Sequence, residues 1–489
     1  MGAALRGGTA LYAGATLLDR LLGLLLLPVL TRAIAPNDYG AWTQTAVTTG
    51  LLLPLILFAT PTAIVRWFAP AGAAALRPRF FAGLGAGALA LFLACSALVW
   101  VGRQPVAMLV YGEAGREVLV GALLVLLLAE AGVDFANSWL RADGRIGAVA
   151  AVLALRSSLR YGLVLWLLRA GDAPLASWLE TYAAAQAALA AVVLAVAFTV
   201  LRRAAAATAA AATAAPAVRE LLVFCGPLVL LALFTSFNAA FDRFLLVRLL
   251  GLDAVAVYAA AASLSGVPAV FYGVLGFALF PLLARHWGEG RRDEAARLTT
   301  WALRAFVFLG LPLGLVLALV GPALLPLLTT ASYRAAPAVF ALLGLSVAAF
   351  GGYQILLYAL LLDGRSHQVL KLALAAAALN AVLNLVLAPR WGASGAAAAT
   401  AGANAVMLAW AARWAARVMP WRFPWAGLWS VAWCSALAAL PLAGALWWGA
   451  PTGAALWWRV GAALGLGTLL YLALDWVRPD SITRMLLPK

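Results

Sequence analysis

Long uninterrupted runs of apolar residues recur along the whole of this 489-residue chain. A run of about 18 or more such residues is long enough to cross a lipid bilayer as an α-helix. Only helices and closed barrels satisfy every backbone hydrogen bond inside a membrane, and barrel strands are short and alternate in polarity. The runs here are continuous and rich in Ala and Leu, so the sequence predicts an all-α polytopic membrane protein.

The lengths of these runs predict about fourteen transmembrane helices. Because 65% of the residues are hydrophobic and only 11% are charged, we expect no soluble domain between them. The predicted spans are roughly 11–34, 42–65, 80–102, 118–140, 148–169, 175–200, 221–247, 254–284, 299–320, 337–362, 368–389, 394–417, 425–447 and 454–476.

The basic residues predict the orientation of the chain in the membrane. With the N-terminus inside, about 21 of the 34 Lys and Arg residues fall in cytoplasmic segments or tails. Cytoplasmic loops of membrane proteins carry such an excess of positive charge. An even number of spans then places the N- and C-termini in the cytoplasm. The same bias accounts for the net charge of +16 without a nucleic-acid partner.

A central segment, residues 201–219, is rich in Ala and Thr and basic at both ends. We interpret it as a cytoplasmic linker between two halves. The predicted organisation is an N-terminal six-helix bundle over residues 1–200, this linker, a C-terminal six-helix bundle over 220–420, and two additional transmembrane helices with a cytoplasmic tail over 421–489.

Two short motifs recur at nearly one offset, which indicates an internal repeat. The segment Arg248–Tyr258 follows Arg32–Trp42 by 216 residues and repeats its order of residue types. The Asp-Gly-Arg of Leu140–Ile146 recurs in Leu360–Ser366, 220 residues later. Six predicted spans separate the copies, so they share one orientation. Parallel repeats of this kind occur in transporters whose substrate site lies between the halves near the membrane midplane.

Three segments carry a resemblance to a known family. They are "LTRAIAPNDYGAW" (Leu30–Trp42), "LFPLLARHWGEGRRDEAARL" (Leu279–Leu298) and, most specifically, "LNAVLNLVLAPRWGASGAAAATAGAN" (Leu379–Asn404). Through them the chain resembles polysaccharide (O-antigen type) flippases, the polysaccharide transport family of the multidrug/oligosaccharidyl-lipid/polysaccharide exporter superfamily.

This resemblance implies two pseudo-symmetric six-helix bundles in a V, around a cavity that opens alternately to each side of the bacterial cytoplasmic (inner) membrane. The implied cargo is an undecaprenyl-pyrophosphate-linked glycan for surface polysaccharide such as the O-antigen of lipopolysaccharide. The other implied partners are membrane lipids and, as candidates, a polysaccharide polymerase or glycosyltransferase. We expect a monomer, with no cofactor and no nucleic acid.

Four groups of charged residues lie inside the first, fourth, fifth and seventh predicted spans, and one charge at the bilayer centre costs roughly 2.5–3.5 kcal/mol on insertion scales. They form either buried ion pairs that hold the bundle together or the lining of a hydrated cavity. On the second interpretation the candidate cargo-binding residues are Arg20, Arg156, Arg160, Arg243, Asn380 and Asn384. The candidate charge partners are Asp19, Glu130, Asp134 and Asp242.

The spacing of these residues favours a cavity. When the hairpin of spans four and five is folded about Gly144, Glu130 lies level with Arg156 and Arg160. The corresponding positions of the second half are not charged, since Glu130 maps to Phe350 at the repeat offset. A charged half facing a merely polar half suits an asymmetric cargo better than a scaffold. The planar fork of arginine also matches pyrophosphate oxygens.

Other functions are less consistent with the sequence. The chain has no G-x-x-x-x-G-K-[ST] phosphate loop for ATP hydrolysis and no Cys/His cluster for a metal, and we do not expect an enzyme. A membrane-embedded glycosyltransferase or polymerase would need a large outer loop. The open alternatives are a peptidoglycan lipid-precursor flippase and a drug/cation antiporter of the same superfamily, although an antiporter for cations would want carboxylates without balancing arginines.

Overall fold

The computed structural model describes residues 2–69, 75–169, 174–206, 216–364, 366–421, 425–447 and 454–477. These residues form sixteen α-helices and no β-strand. The helices are α1 (Gly2–Ala33), α2 (Pro36–Leu57), α3 (Thr60–Phe68), α4 (Arg77–Val101), α5 (Arg103–Tyr111), α6 (Val118–Ala142), α7 (Ile146–Arg169), α8 (Leu175–Ala206), α9 (Val218–Leu250), α10 (Leu252–Ser265), α11 (Ala269–Gly288), α12 (Arg292–Leu328), α13 (Pro337–Leu362), α14 (Ser366–Val418), α15 (Trp425–Trp447) and α16 (Ala454–Val477).

The prediction of an all-α polytopic membrane protein is confirmed. In the described part of the chain, 10 helices are long and apolar enough to cross a membrane. One of them is α14, which contains two predicted spans as two arms joined at a bend. Shorter apolar helical segments cover Leu252–Ser265, Val431–Leu442 and Gly461–Asp475. Each of the fourteen predicted spans therefore coincides with helical structure.

The second predicted span is broken into α2 and α3 at Pro61, one of the prolines that interrupt the predicted spans. Pro61 cannot donate a backbone hydrogen bond, and its ring clashes with the carbonyl of Leu57, four residues earlier. The helix ends there, and the Thr60 hydroxyl donates to the freed Leu57 carbonyl at 2.6 Å. Phe58 and Ala59 turn the chain with φ of 46° and 54°, a left-handed conformation that non-glycine residues seldom adopt.

The eighth predicted span is also divided. Helix α10 ends at Ser265 and α11 begins at Ala269, with Pro268 between them. The ring of Pro268 would clash with the carbonyl of Leu264, four residues earlier, so the helix cannot continue through this position. The Val267 N–H instead donates to that carbonyl over a tighter turn at 3.2 Å.

The chain divides into two compact units, Met1–Ala256 and Val257–Lys489. This division places α9 in the first unit, where it packs against α2, α3 and α5. The predicted division into six-helix bundles over residues 1–200 and 220–420 stays a prediction. Of the predicted linker 201–219, the helix α8 includes residues up to Ala206 and α9 begins at Val218, while residues 207–215 lie outside the described residues.

Aromatic side chains form the centre of the first unit. Phe68 of α3, Phe81 of α4, and Phe135 and Trp139 of α6 pack with ring centroids 5.2–6.2 Å apart. Trp139 is fully buried. These contacts hold α3 and α4 on one side of α6, and α8 packs along α6 as well. The helix α7 also contacts α6, which carries the charged residues Glu130 and Asp134 described below.

In the second unit, α12 and α13 pack together and α14 folds back on itself against α13. The bend of α14 is at Gly392, where φ is 56° and ψ is −132°. Gly395 follows, and a Cβ atom there would lie 2.1 Å from the carbonyl oxygen of Leu387, so only glycine fits. The last two helices, α15 and α16, pack on each other and on α12, where the Tyr471 hydroxyl donates to the Phe308 carbonyl at 2.8 Å.

The internal repeat has a matching backbone in its two copies. Asp143, which ends α6, has φ −80° and ψ 2°, and Asp363, which ends α13, has φ −78° and ψ 3°. The following glycines, Gly144 and Gly364, have φ of 75° and 73°. The third residue of the second copy, Arg365, lies outside the described residues.

Candidate functional site: an intramembrane charge cluster

Asp19 of α1 is bound to two residues of α7. Its carboxylate accepts a hydrogen bond from Arg160 at 2.9 Å and one from the Ser157 hydroxyl at 2.5 Å. Ser157 and Arg160 are three residues apart on a helix, so they project from the same face. This contact joins α1 to α7. The opposite charge of Arg160 also reduces the free-energy cost of placing Asp19 in an apolar span.

Glu130 of α6 forms an ion pair with Arg156 of α7. This pairing is the one that the hairpin geometry predicts, because folding the two helices about Gly144 brings these side chains to one level. Asp134 lies one turn further along α6, half-buried, and interacts electrostatically with Arg156. The structure therefore brings together five of the predicted residues, which we call the charge cluster: Asp19, Glu130, Asp134, Arg156 and Arg160.

Two residues of this site were not among the predicted ones. Ser157 bonds Asp19 directly, and its position between Arg156 and Arg160 was the available signal. Tyr182 of α8 is 8% exposed and interacts electrostatically with Arg160, Glu130, Arg156 and Asp19. The polar segment around Tyr182 in a predicted span was the corresponding signal for it.

The charge cluster lies near the middle of its helices. Glu130 is twelve residues before the end of α6 at Ala142, a distance of about 18 Å along a helix that rises 1.5 Å per residue. Arg156 and Arg160 lie ten and fourteen residues after the start of α7 at Ile146. For an apolar layer about 30 Å thick, these positions are far from either edge.

The charge cluster is partly exposed in this structure. The exposed fractions of the side chains are 32% for Asp19, 28% for Arg160, 25% for Arg156 and 19% for Glu130. The Nε atom of Arg160 is buried and has no hydrogen-bond partner among the described residues. Arg20, next to Asp19 on α1, is exposed.

The other predicted residues of the first unit lie on α9. Asp242 is 5% exposed and accepts a hydrogen bond from the backbone N–H of Arg243 at 2.8 Å. The Nε of Arg243 is buried without a hydrogen-bond partner in the described part of the chain. No contact between these two residues and the charge cluster is seen among the described residues.

Asn380 and Asn384 lie in the second unit, in the first arm of α14, and both are fully buried. The Asn384 side-chain amide donates to the backbone and side-chain oxygens of Asn380 at 3.0 and 3.1 Å. The Asn380 amide donates to Thr400 of the second arm at 3.3 Å. Their polar groups join the two arms of α14, and the side chains are not accessible to a cargo in this structure.

With Arg20, the charge cluster contains three arginines and three carboxylates, so its formal charge is zero. Such a set can exchange partners, since an incoming anion can take a carboxylate's place on an arginine. Among the described residues no group of three or more His, Cys, Asp or Glu could hold a metal ion.

Two family models match more than half of the chain each. The model described as "Polysaccharide biosynthesis protein" matches residues 5–287, and the model described as "Lipid II flippase MurJ" matches residues 170–465. The chain belongs to the multidrug/oligosaccharidyl-lipid/polysaccharide exporter superfamily of flippases and transporters, in which these two families lie. A search among curated protein sequences found no significant match.

Solved structures agree on the fold. The lipid II flippase MurJ in an inward closed conformation has a TM-score of 0.74 at 13% identity, covering 96% of this chain and 98% of that one. An inward-facing multidrug resistance MATE family transporter has a TM-score of 0.56 at 14% identity over 82% of this chain and 95% of that one. The Vibrio cholerae MATE transporter VcmN has 0.54 at 16% identity over 85% and 97%.

Proposed function

We propose that this chain is an alternating-access flippase. Its cargo is an undecaprenyl-pyrophosphate-linked oligosaccharide, which it moves across the bacterial cytoplasmic membrane for surface polysaccharide biosynthesis. The observation that carries the proposal is the partly exposed charge cluster in the middle of the membrane-spanning helices α1, α6 and α7.

A partly exposed charged side chain cannot face lipid tails without a large free-energy cost. Ionisable side chains in membrane helices therefore face the protein interior or a water-filled cavity. Asp19 and Arg160 are paired, but their side chains remain 32% and 28% exposed, and Arg20 is exposed. Water is the environment that stabilises them, so the charge cluster belongs on the wall of a hydrated cavity.

Arginine is the side chain best suited to the anionic part of the proposed cargo. Its planar fork donates two parallel hydrogen bonds to phosphate oxygens, which the single ammonium of lysine cannot do. The Arg160 side chain is 28% exposed, and Arg20, the neighbour of Asp19 in the sequence, is exposed. These donors can receive a pyrophosphate without breaking the Glu130–Arg156 pair.

The carboxylates give the empty site a stable arrangement. In this proposal the pyrophosphate displaces Asp19 from Arg160, and Asp19 returns when the cargo leaves. A ligand shifts a conformational equilibrium only if it contacts the two states differently. Because the Asp19–Arg160 pair joins α1 to α7, its opening loosens α1 and provides such a difference.

The family matches support a lipid-linked glycan as the cargo class, since one model describes polysaccharide biosynthesis proteins and the other a flippase of lipid II. In this proposal the chain lies in the inner membrane with both termini in the cytoplasm and works as a monomer. A polysaccharide polymerase or glycosyltransferase would supply or consume the glycan.

A second candidate function is the flipping of a peptidoglycan lipid precursor. It is favoured by the match of the MurJ family model to residues 170–465 and by a MurJ-like fold over 96% of the chain. Such a cargo would present a similar pyrophosphate to the charge cluster. A drug/cation antiporter is less consistent with the site, because Arg20, Arg156 and Arg160 balance its three carboxylates and leave no net negative charge to attract a cation.

The test uses Arg20→Lys, Arg20→Ala and Arg160→Ala, each measured for membrane abundance and for surface polysaccharide in a strain that lacks its own polysaccharide flippase. If forked pyrophosphate binding matters, Arg20→Lys impairs export at normal abundance, because lysine keeps the charge and loses the fork. Arg413→Lys, on an exposed residue of α14, is the matched control and should export normally.

Normal export by all three variants, or a loss of abundance alone, would mean that the charge cluster is structural. Complementation separates the two cargo classes. Growth of a strain depleted of its lipid II flippase would favour the peptidoglycan precursor, whereas restored surface polysaccharide alone would favour the oligosaccharide.

A further inference from the structure

The first unit contains a second concave site, away from the helices that carry the charge cluster. It is a groove of about 940 Å³ between the α2–α3 break, α4 and the first turns of α9. Among its described lining residues only Thr60 and Arg79 have strongly polar side chains. The rest of the wall is apolar, and Gly83 and Gly87 on α4 leave open space where side chains would otherwise fill it.

The position of the groove along α4 matches one leaflet of a bilayer. Its lining extends from Arg79 to Leu91, twelve residues or about 18 Å at 1.5 Å per residue. Half of a hydrocarbon core about 30 Å thick is a similar length. Arg79 is the third residue of α4, so it lies at the helix end, where lipid headgroups meet the apolar layer.

The mouth of the groove is favourable for an anion. Arg79 is exposed there, and the first turn of α4 has backbone N–H groups without partners inside the helix, which carry partial positive charge. On α3, Arg66 stacks 4.4 Å over the ring of Phe224 on α9, which is next in sequence to the lining residue Cys225. The one acidic side chain of the α9 start, Glu220, is occupied in capping its own helix at the Ala217 N–H.

We propose that this groove is a binding site for an anionic glycerophospholipid, with the phosphate at Arg79 and an acyl chain along α4. The position of Arg79 across the membrane favours this ligand over the polyprenyl cargo. The pyrophosphate of the cargo is proposed to bind at the charge cluster, in the middle of its helices, whereas the groove holds its cation at a helix end. A resident phospholipid has its phosphate at that level.

The test measures lipid binding to the purified full-length protein in detergent. Native mass spectrometry and thermal unfolding give apparent Kd values for dioleoylphosphatidylglycerol and for dioleoylphosphatidylcholine, which has the same chains but no net charge. We expect the wild-type protein to bind phosphatidylglycerol about tenfold more tightly, because the choline ammonium of phosphatidylcholine is repelled by Arg79 and offsets the attraction of its phosphate. Arg79→Gln should remove this preference, and Arg413→Gln, the control on an exposed arginine of α14, should keep it.

A second substitution tests the groove itself. Gly87→Leu fills open space on its wall and should weaken binding of both lipids, whereas Gly465→Leu, at another exposed helical glycine with open space around it, should not. The proposal is overturned if the wild-type protein does not distinguish the two lipids, or if Arg79→Gln behaves like Arg413→Gln. It is also overturned if undecaprenyl phosphate displaces phosphatidylglycerol at an equimolar amount. The wild-type comparison requires no substituted protein to fold, and none of these measurements depends on transport.

Discussion

The carboxylate of Asp19 accepts a hydrogen bond from Arg160 at 2.9 Å, although the two residues are 141 positions apart in the chain. The same carboxylate accepts a bond from Ser157 on the next turn of α7. One acidic residue thus fixes α1 against α7 at mid-helix depth. Whether the pair serves only this packing or also receives the cargo can be decided by exchanging its charges.

The exchange is the double substitution Asp19→Arg with Arg160→Asp. Asp19→Asn alone leaves Arg160 without its counter-charge and should lower stability by about 1–2 kcal/mol, seen as reduced membrane abundance. The double variant restores an ion pair and should recover the abundance. Export should stay impaired, because the guanidinium is then on the wrong helix. Recovery of both abundance and export would show that the pair has only a structural role.

The predicted orientation can be tested with reporter fusions. The excess of basic residues in alternate loops predicts that a reporter at residue 210, within the predicted linker, reports a cytoplasmic location. A reporter at residue 110, near the end of α5 (Arg103–Tyr111), should report the opposite side. A fusion at 210 that is active only outside the cytoplasm would contradict the predicted topology.

The membrane helices could be predicted from sequence because the length of an apolar run directly fixes what spans a bilayer. The prolines Pro61 and Pro268 marked where two spans are interrupted, but the sequence did not specify whether the helix breaks or only kinks there. A proline in a membrane helix gives a break or a mild kink depending on whether other groups satisfy the freed carbonyls. At Leu57 that group is the Thr60 hydroxyl, a contact that exists only once the chain has turned.

The contacts of the site that join residues close in sequence could be predicted. Glu130 and Arg156 belong to one helical hairpin, so counting residues from Gly144 pairs them. The Asp19–Arg160 contact depends on the packing of α1 against α7, which no local pattern specifies. For Asn380 and Asn384, the i, i+4 spacing identified a polar helix face. It did not show that the second arm of α14 would cover that face.

The repeated turns predict equal effects of one substitution in the two halves. Gly144 and Gly364 have φ of 75° and 73°, and a Cβ atom at either would meet nothing within 4 Å. Alanine there should cost about 1–2 kcal/mol from the left-handed backbone alone, with similar decreases in Tm. Gly465→Ala, in the interior of α16, should be neutral or stabilising. A decrease at only one of the two turns would contradict the equivalence of the repeats.

The buried ion pair between Arg77 and Asp143 gives the sharpest test of stability. The two side chains are 5% and 9% exposed, and Arg77 also donates to the backbone carbonyls of Phe68 and Ala69 at 2.8 and 3.3 Å. Arg77→Ala leaves Asp143 without its buried partner and should cost about 3–5 kcal/mol, measured as a loss of Tm and of membrane abundance. Arg145 provides the matched control, because it contacts the same carboxylate at 2.9 Å but is 52% exposed.

Arg145→Ala should cost less than about 1 kcal/mol, as exposed ion pairs do. The double variant Arg77→Ala with Asp143→Ala should recover part of the loss, since most of the cost of Arg77→Ala comes from the buried carboxylate that remains. If Arg77→Ala and Arg145→Ala lower Tm by the same amount, the burial of the Arg77–Asp143 pair does not stabilise the α6–α7 turn.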